Sequence, residues 1–271
     1  MAEVHHFAYG AINPVLAFIL SFLGSLLSLV LSARARDSKR WRRARWLFLS
    51  ALALGGTGIW LMHFMAMLGF DLPAALITYD LWATAASFVI AVLIVAVGLF
   101  AAIFTTPSAI KIAIGGIVTG IGVASMHYTG MSALHLAGTI SFDPTIVLAS
   151  FIIAIVASTV ALWFAAIIRG AGATVAAALL MAVAVCSMHY TGMSAVQVEL
   201  NPDLPPVAGM GAFELLAPIA VLACIMISAL AYATVGFTVR QENAQEEAML
   251  QRAREMYESA AMVPADTGRH K

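Results

Sequence analysis

Ser125-Met126-His127-Tyr128-Thr129-Gly130-Met131 recurs without a gap as Ser187-Met188-His189-Tyr190-Thr191-Gly192-Met193. A looser copy, Leu61-Met62-His63-Phe64-Met65-Ala66-Met67, precedes both. The three histidines stand 64 and 62 residues apart. Apolar stretches long enough to cross a hydrocarbon layer of about 30 Å run near 12–32, 47–69, 82–104, 112–135, 145–168, 174–197 and 213–238. Each period therefore holds two spans and two connections, so the repeating unit is a helical hairpin. The histidine-bearing second, fourth and sixth spans must then run in the same direction. Their motifs lie at one depth, towards one end of the bundle.

Composition excludes the soluble classes. The 271 residues are 62% hydrophobic and 10% charged, with mean hydropathy +0.95; a soluble domain carries about 25% charge. The reading is an all-α, polytopic membrane bundle of seven transmembrane helices built from three tandem hairpin repeats. Residues 1–11 form an outer segment, 12–238 the membrane domain and 239–271 a polar cytoplasmic tail. The net charge is zero, which argues neither for nor against nucleic acid, and no nucleic-acid partner is expected. Cys186 and Cys224, both in apolar runs, suggest neither a disulfide framework nor a Cys-x-x-Cys metal site.

Orientation follows from the basic residues. Seven of the 14 lysines and arginines lie between the first two spans, from Arg34 to Arg45; the others are Lys111, Arg169 and five beyond residue 239. All fall on one side of a seven-span chain. The other side holds Glu3, Asp71, Asp80, Asp143, Glu199, Asp203 and Glu214. The expectation is N-out, C-in, multi-pass, in the inner (plasma) membrane. The basic cluster follows the first apolar run, the charge order of a retained helix rather than a cleaved signal peptide.

Three of the seven histidines carry Met one residue before and four residues after. Residues four apart share a helix face, so His63 and Met67, His127 and Met131, and His189 and Met193 project together. Met62, Met126 and Met188 sit about 100° round the helix and reach the same space with flexible side chains. Imidazole with thioether favours copper: sulfur suits Cu(I), and imidazole accepts either oxidation state. Zinc more usually recruits Cys or carboxylate beside His. The competing reading is three core histidines bonded to Ser, Thr or Tyr hydroxyls, with Met as core filler. Of the remaining polar residues, His135 reads as interfacial, Cys186 as packing and Asn13-Pro14 as the start of the first helix. Trp41 and Trp46 read as interface anchors. His5 and His6 lie outside the first span. Gly116 and Gly120 form a GxxxG packing motif.

The two literal copies, Met126-His127-Tyr128-Thr129 and Met188-His189-Tyr190-Thr191, resemble the signature of the MHYT domain, a bacterial sensory membrane module. The likeness extends over residues 9–205. It implies a sensor of oxygen, carbon monoxide or nitric oxide, with copper held by the Met and His residues near the outer face. The first copy keeps Met62 and His63 but has Phe64 where the signature has Tyr. Many members carry a catalytic output domain, and none is legible in this sequence. The expectation is therefore a non-enzymatic sensor whose signalling partner is supplied in trans. Two other classes stay open: a metal or small-solute transporter, and a haem-binding redox protein.

Overall fold

The computed structural model describes residues 8–73, 75–201 and 209–211, together with parts of 214–232 and 249–252. The chain divides into two units, Met1–Leu230 and Ala231–Lys271, and the description below concerns the first.

Among the described residues, six helices are long and apolar enough to cross a membrane: α1 (Ile12–Arg36), α2 (Arg40–Met67), α3 (Leu81–Phe104), α4 (Ala109–Ser132), α5 (Pro144–Ile167) and α6 (Ala171–Ser194). The expected seventh span, 213–238, falls partly outside the described residues. A shorter apolar helix, α7 (Ala217–Ala229), covers part of that stretch. Its Ile219, Ala223 and Met226 are buried at the three- and four-residue spacing of one helix face.

The helix starts follow from local chemistry. Asp80 caps α3 by accepting from the Ala83 amide at 2.6 Å, and Ser108 caps α4. Asp143 caps α5, accepting from Thr145 and Ile146 just beyond Pro144. At the opposite end, arginines satisfy the orphan carbonyls of helix C-termini. Arg36 donates to the Ala165 and Ile168 carbonyls of α5. Arg43 donates to the Phe104 carbonyl at 2.9 Å and the Ser38 carbonyl at 3.0 Å. The basic residues at this end thus lock the helix ends together.

The described basic residues of this unit therefore gather at the 37–39, 105–108 and 168–170 connections. Asp71, Asp80, Asp143 and Glu199 lie at the other end, with the histidines. The approach to α1 belongs to that acidic end as well, since the Ala8 amide donates to the Gly69 carbonyl at 3.0 Å. By the positive-inside bias, reporter fusions after Asp71 and after Glu199 are expected to report the outside, and one within 37–39 the cytoplasm. A cytoplasmic signal at Asp71 would overturn the orientation.

Short strands cap the acidic end, a departure from the expected all-α bundle. β1 (Thr78–Tyr79) pairs antiparallel with β2 (Leu134–His135) and with β5 (Met210–Gly211). β3 (Gly138–Phe142) pairs with β4 (Val196–Leu200) in a five-residue register from Gly138↔Leu200 to Phe142↔Val196. The signal was present: Val196-Gln197-Val198-Glu199-Leu200 alternates apolar and polar. The ladders continue a repeat-related pattern. The Asp80 amide donates to the Ala133 carbonyl and the Asp143 amide to the Ala195 carbonyl, at 2.8 and 2.9 Å. Each pairing ties the start of one helix to the end of the following motif helix.

α2 is the central helix, with 83% of its apolar window buried against 17% for α5. From Leu52 to Leu61 it is a π-helix, leading directly into the α-helical turn Met62–Met67. Such wide segments are rare and concentrate at functional sites. Close approach by α1 accompanies it: a Cβ on Gly24 would stand 2.3 Å from the Gly58 nitrogen.

Candidate metal centre

The parallel course of α2, α4 and α6 brings their motifs together at one level. His63, His127 and His189 are each 1% exposed. His63 Nδ1 lies 3.0 Å from His189 Nδ1 and 3.1 Å from His127 Nδ1. The ring centroids are 4.8, 5.0 and 5.2 Å apart, with interplanar angles of 71–88°. Three imidazoles thus meet nearly edge to edge around one point, and their ligating atoms all lie within 4.8 Å of one another.

Seating two of these rings so close requires a neighbour without a side chain. A Cβ on Gly130 would stand 2.4 Å from His63 Nε2, and one on Gly192 would stand 2.3 Å from His127 Nε2. The glycine of each literal Met-His-Tyr-Thr-Gly-Met copy is therefore the seat of the preceding repeat's histidine. Sequence reasoning missed this role, although the glycine stands in both copies of the heptapeptide.

The other motif positions separate into packing roles. Phe64, Tyr128 and Tyr190 each set a ring edge-on to the histidine before them, at centroid distances of 4.9, 5.0 and 5.0 Å. Phe64 supplies that contact as well as tyrosine does, which explains why the first copy tolerates losing the hydroxyl. The Tyr128 hydroxyl instead bonds Ser150 Oγ at 2.8 Å, tying α4 to α5. The Thr129 hydroxyl turns back to the Ser125 carbonyl of its own helix. Asn13 is a second missed residue: it is buried, and its side-chain amide donates to the Met65 carbonyl at 3.1 Å. It anchors α1 to the turn that carries His63.

The six motif methionines, Met62, Met67, Met126, Met131, Met188 and Met193, are all buried. They do not share one environment. Met131 lines a pocket with β2 and β3 at the acidic end, whereas Met188 lines a cavity on the opposite side of the histidine layer. The Met67 carbonyl accepts from the Tyr79 hydroxyl at 3.4 Å. Burial pushes that phenol above its ordinary pKa, so it remains a donor. His135 is exposed on β2, paired opposite Thr78, and stands outside the cluster. Cys186 packs with Met62, Ala66 and Tyr190. His5 and His6 lie outside the described residues.

The donor set fits a cation. A neutral imidazole nitrogen either donates one hydrogen bond or accepts one. His63 Nδ1 cannot satisfy two Nδ1 neighbours at once, and a buried polar atom left unmatched costs about 1–3 kcal/mol. A positive ion at the common point satisfies all three lone pairs. Metal–nitrogen bonds of 2.0–2.1 Å in a trigonal arrangement space the nitrogens by roughly 3.5 Å, within a small rotation of the observed spacing. Haem fits poorly, because its macrocycle must lie between the two axial nitrogens and rings this close leave no room for it. Among the described residues, no Cys, Asp or Glu joins the three histidines.

Comparison with known proteins matches the chain three times, at residues 56–116, 120–182 and 183–250, to the repeat described as "Bacterial signalling protein N terminal repeat". It is 37% identical over 199 residues to the bifunctional diguanylate cyclase/cyclic di-GMP phosphodiesterase MucR of Pseudomonas aeruginosa, covering 72% of this chain and 29% of that protein. It is 33% identical over 196 residues to the cyclic di-GMP phosphodiesterase NbdA of the same organism, covering 70% and 25%. Signaling protein YkoW of Bacillus subtilis is 28% identical over 212 residues, covering 74% and 25%. The chain thus spans between a quarter and a third of the length of these relatives. No solved structure matches it.

Proposed function

Because this chain belongs to the MHYT family of bacterial signalling-protein repeats, we propose that it is a membrane-embedded sensor of a diatomic gas or of redox state. In this reading His63, His127 and His189 hold a metal ion near the outer face. The observation that carries it is the convergence of three buried Nδ1 atoms from three separate repeats. A lone core histidine needs only a hydroxyl partner; three turned towards one another leave lone pairs that a cation satisfies together.

Copper is the ion the surroundings favour. The three imidazoles suit either oxidation state, and the buried thioethers of Met62, Met67, Met126, Met131, Met188 and Met193 are the soft donors available on the same helices. When bound, copper supplies a one-electron couple and a coordination position open to a small neutral ligand. The chain's own residues hold the three imidazoles at one point, exclude water and join the centre to the opposite end. α2 carries both His63 and the basic run Arg40–Arg45, so a shift of the ring is a shift of that helix. Signalling then requires two packings a few kcal/mol apart, one of them preferred by the ligand. The output is an intracellular domain or partner of the kind named in the relatives, a cyclic di-GMP cyclase or phosphodiesterase.

The test is spectroscopic. Purified protein is expected to retain copper, and its absorption and electron paramagnetic resonance spectra are expected to change under oxygen, carbon monoxide or nitric oxide. Full copper occupancy with no response to any of the three gases would leave a metal protein without a gas-sensing role.

A further inference from the structure

An apolar cavity of about 40 Å³ lies immediately inward of the histidine layer. Ile59, Val123 and Val185 line it, and these are the residues four before His63, His127 and His189. Four residues make one helical turn of about 5.4 Å on the same face. The cavity therefore sits one turn beneath the three imidazoles, at the centre of the same three helices. Met188, whose neighbour in the chain is His189, also lines it.

We propose that this cavity is a docking site for a small apolar molecule of diatomic size, placed directly below the histidine cluster. Size sets the class of ligand: one water needs about 10–15 Å³ of such space, so 40 Å³ admits a diatomic molecule or a xenon atom and excludes a ring. Lining chemistry sets its polarity, because the wall is aliphatic and thioether apart from Thr119 and Ser158. Apolar cavities of this kind stay dry and take up xenon, since a void forfeits dispersion contacts that an apolar occupant restores.

The cavity also has a way in from lipid. An open groove of about 340 Å³ on the outside of α5 and α6 shares Ala157, Met181 and Ala184 with the cavity wall. The groove is flanked by Ile152, Val156 and Leu180, all more than half exposed on the lipid-facing surface. An apolar solute dissolved in the bilayer reaches the cavity by displacing the flexible Met181 side chain between two alanines. The cavity stands on its own geometry; only its use in sensing rests on the metal reading given above.

Methyl-labelled protein in nanodiscs, titrated with xenon, tests the site. The Ile59, Val123 and Val185 methyl resonances are expected to shift in a saturable way, while the Ile152 methyls shift linearly with pressure as bulk lipid does. Val123→Phe, which fills the space, should abolish the saturable shift. Should that variant fail to fold, the smaller Ala184→Val should slow xenon exchange several-fold at unchanged saturation. His127→Ala should keep the xenon shifts while losing metal, so the two readings fail separately. Linear shifts throughout in the wild-type protein, or a bound water detected against these methyls that xenon does not displace, would overturn the proposal.

Discussion

Replacement of His63, His127 or His189 by alanine, one at a time, is expected to empty the metal centre. Each imidazole comes from a different helix, and in the fully buried cluster no Cys, Asp or Glu stands ready to substitute among the described residues. Losing even an outer partner of a metal ligand costs about 10–100-fold in affinity, so losing one of three ligating nitrogens should cost more than about 100-fold. Metal analysis of the purified variants, with protein fold followed by circular dichroism, reads the result directly. Replacing Met131 or Met193 by leucine keeps the volume and removes only sulfur, so it should weaken Cu(I) retention more than Cu(II). Wild-type metal content in all three histidine variants would place the ion elsewhere, and the histidines would then be core residues.

Gly130→Ala is expected to do nearly the same damage without touching a ligand. In an ordinary helix interior this change stabilises by about 1 kcal/mol. Here the new Cβ lands 2.4 Å from His63 Nε2, and the ring has nowhere to go because it is already wedged against two other imidazoles. Overpacking of this kind costs about 1–3 kcal/mol, and relief requires His63 to leave the common point. Metal content and thermal stability should therefore fall together. Gly192→Ala should behave alike through His127. Gly172→Ala, where a Cβ meets nothing within 4 Å, is the control and should be neutral or mildly stabilising. A Gly130→Ala protein that keeps its metal and its melting temperature would mean that His63 is not seated against this helix.

The different fates of Gly130 and Gly172 illustrate where sequence reading reaches its end. Both are helical glycines, and a one-dimensional pattern assigns each the same loss of propensity. What distinguishes them is the helix opposite, which is a property of packing. The same holds for the signature tyrosine and threonine. Their repetition marked them as important, but only tertiary contacts divide their roles: the ring edge against histidine, the Tyr128 hydroxyl on Ser150, and the Thr129 hydroxyl on its own backbone.

Composition and periodicity alone place seven apolar spans, of which six stand as long helices among the described residues, and they mark the repeat and its three histidines at one depth. They can do so because hydrophobic length and the 3.6-residue period are local quantities, and because a repeat of two spans forces its motif helices to run parallel. Packing sets the rest: that Nδ1 rather than Nε2 points to the common point, that Met131 and Met188 face opposite sides of the histidine layer, and that α2 widens to a π-helix before His63. It alone also pairs the five short strands. Each of these depends on which neighbour a side chain or backbone amide meets from another helix or strand, and no pattern within one helix encodes that choice.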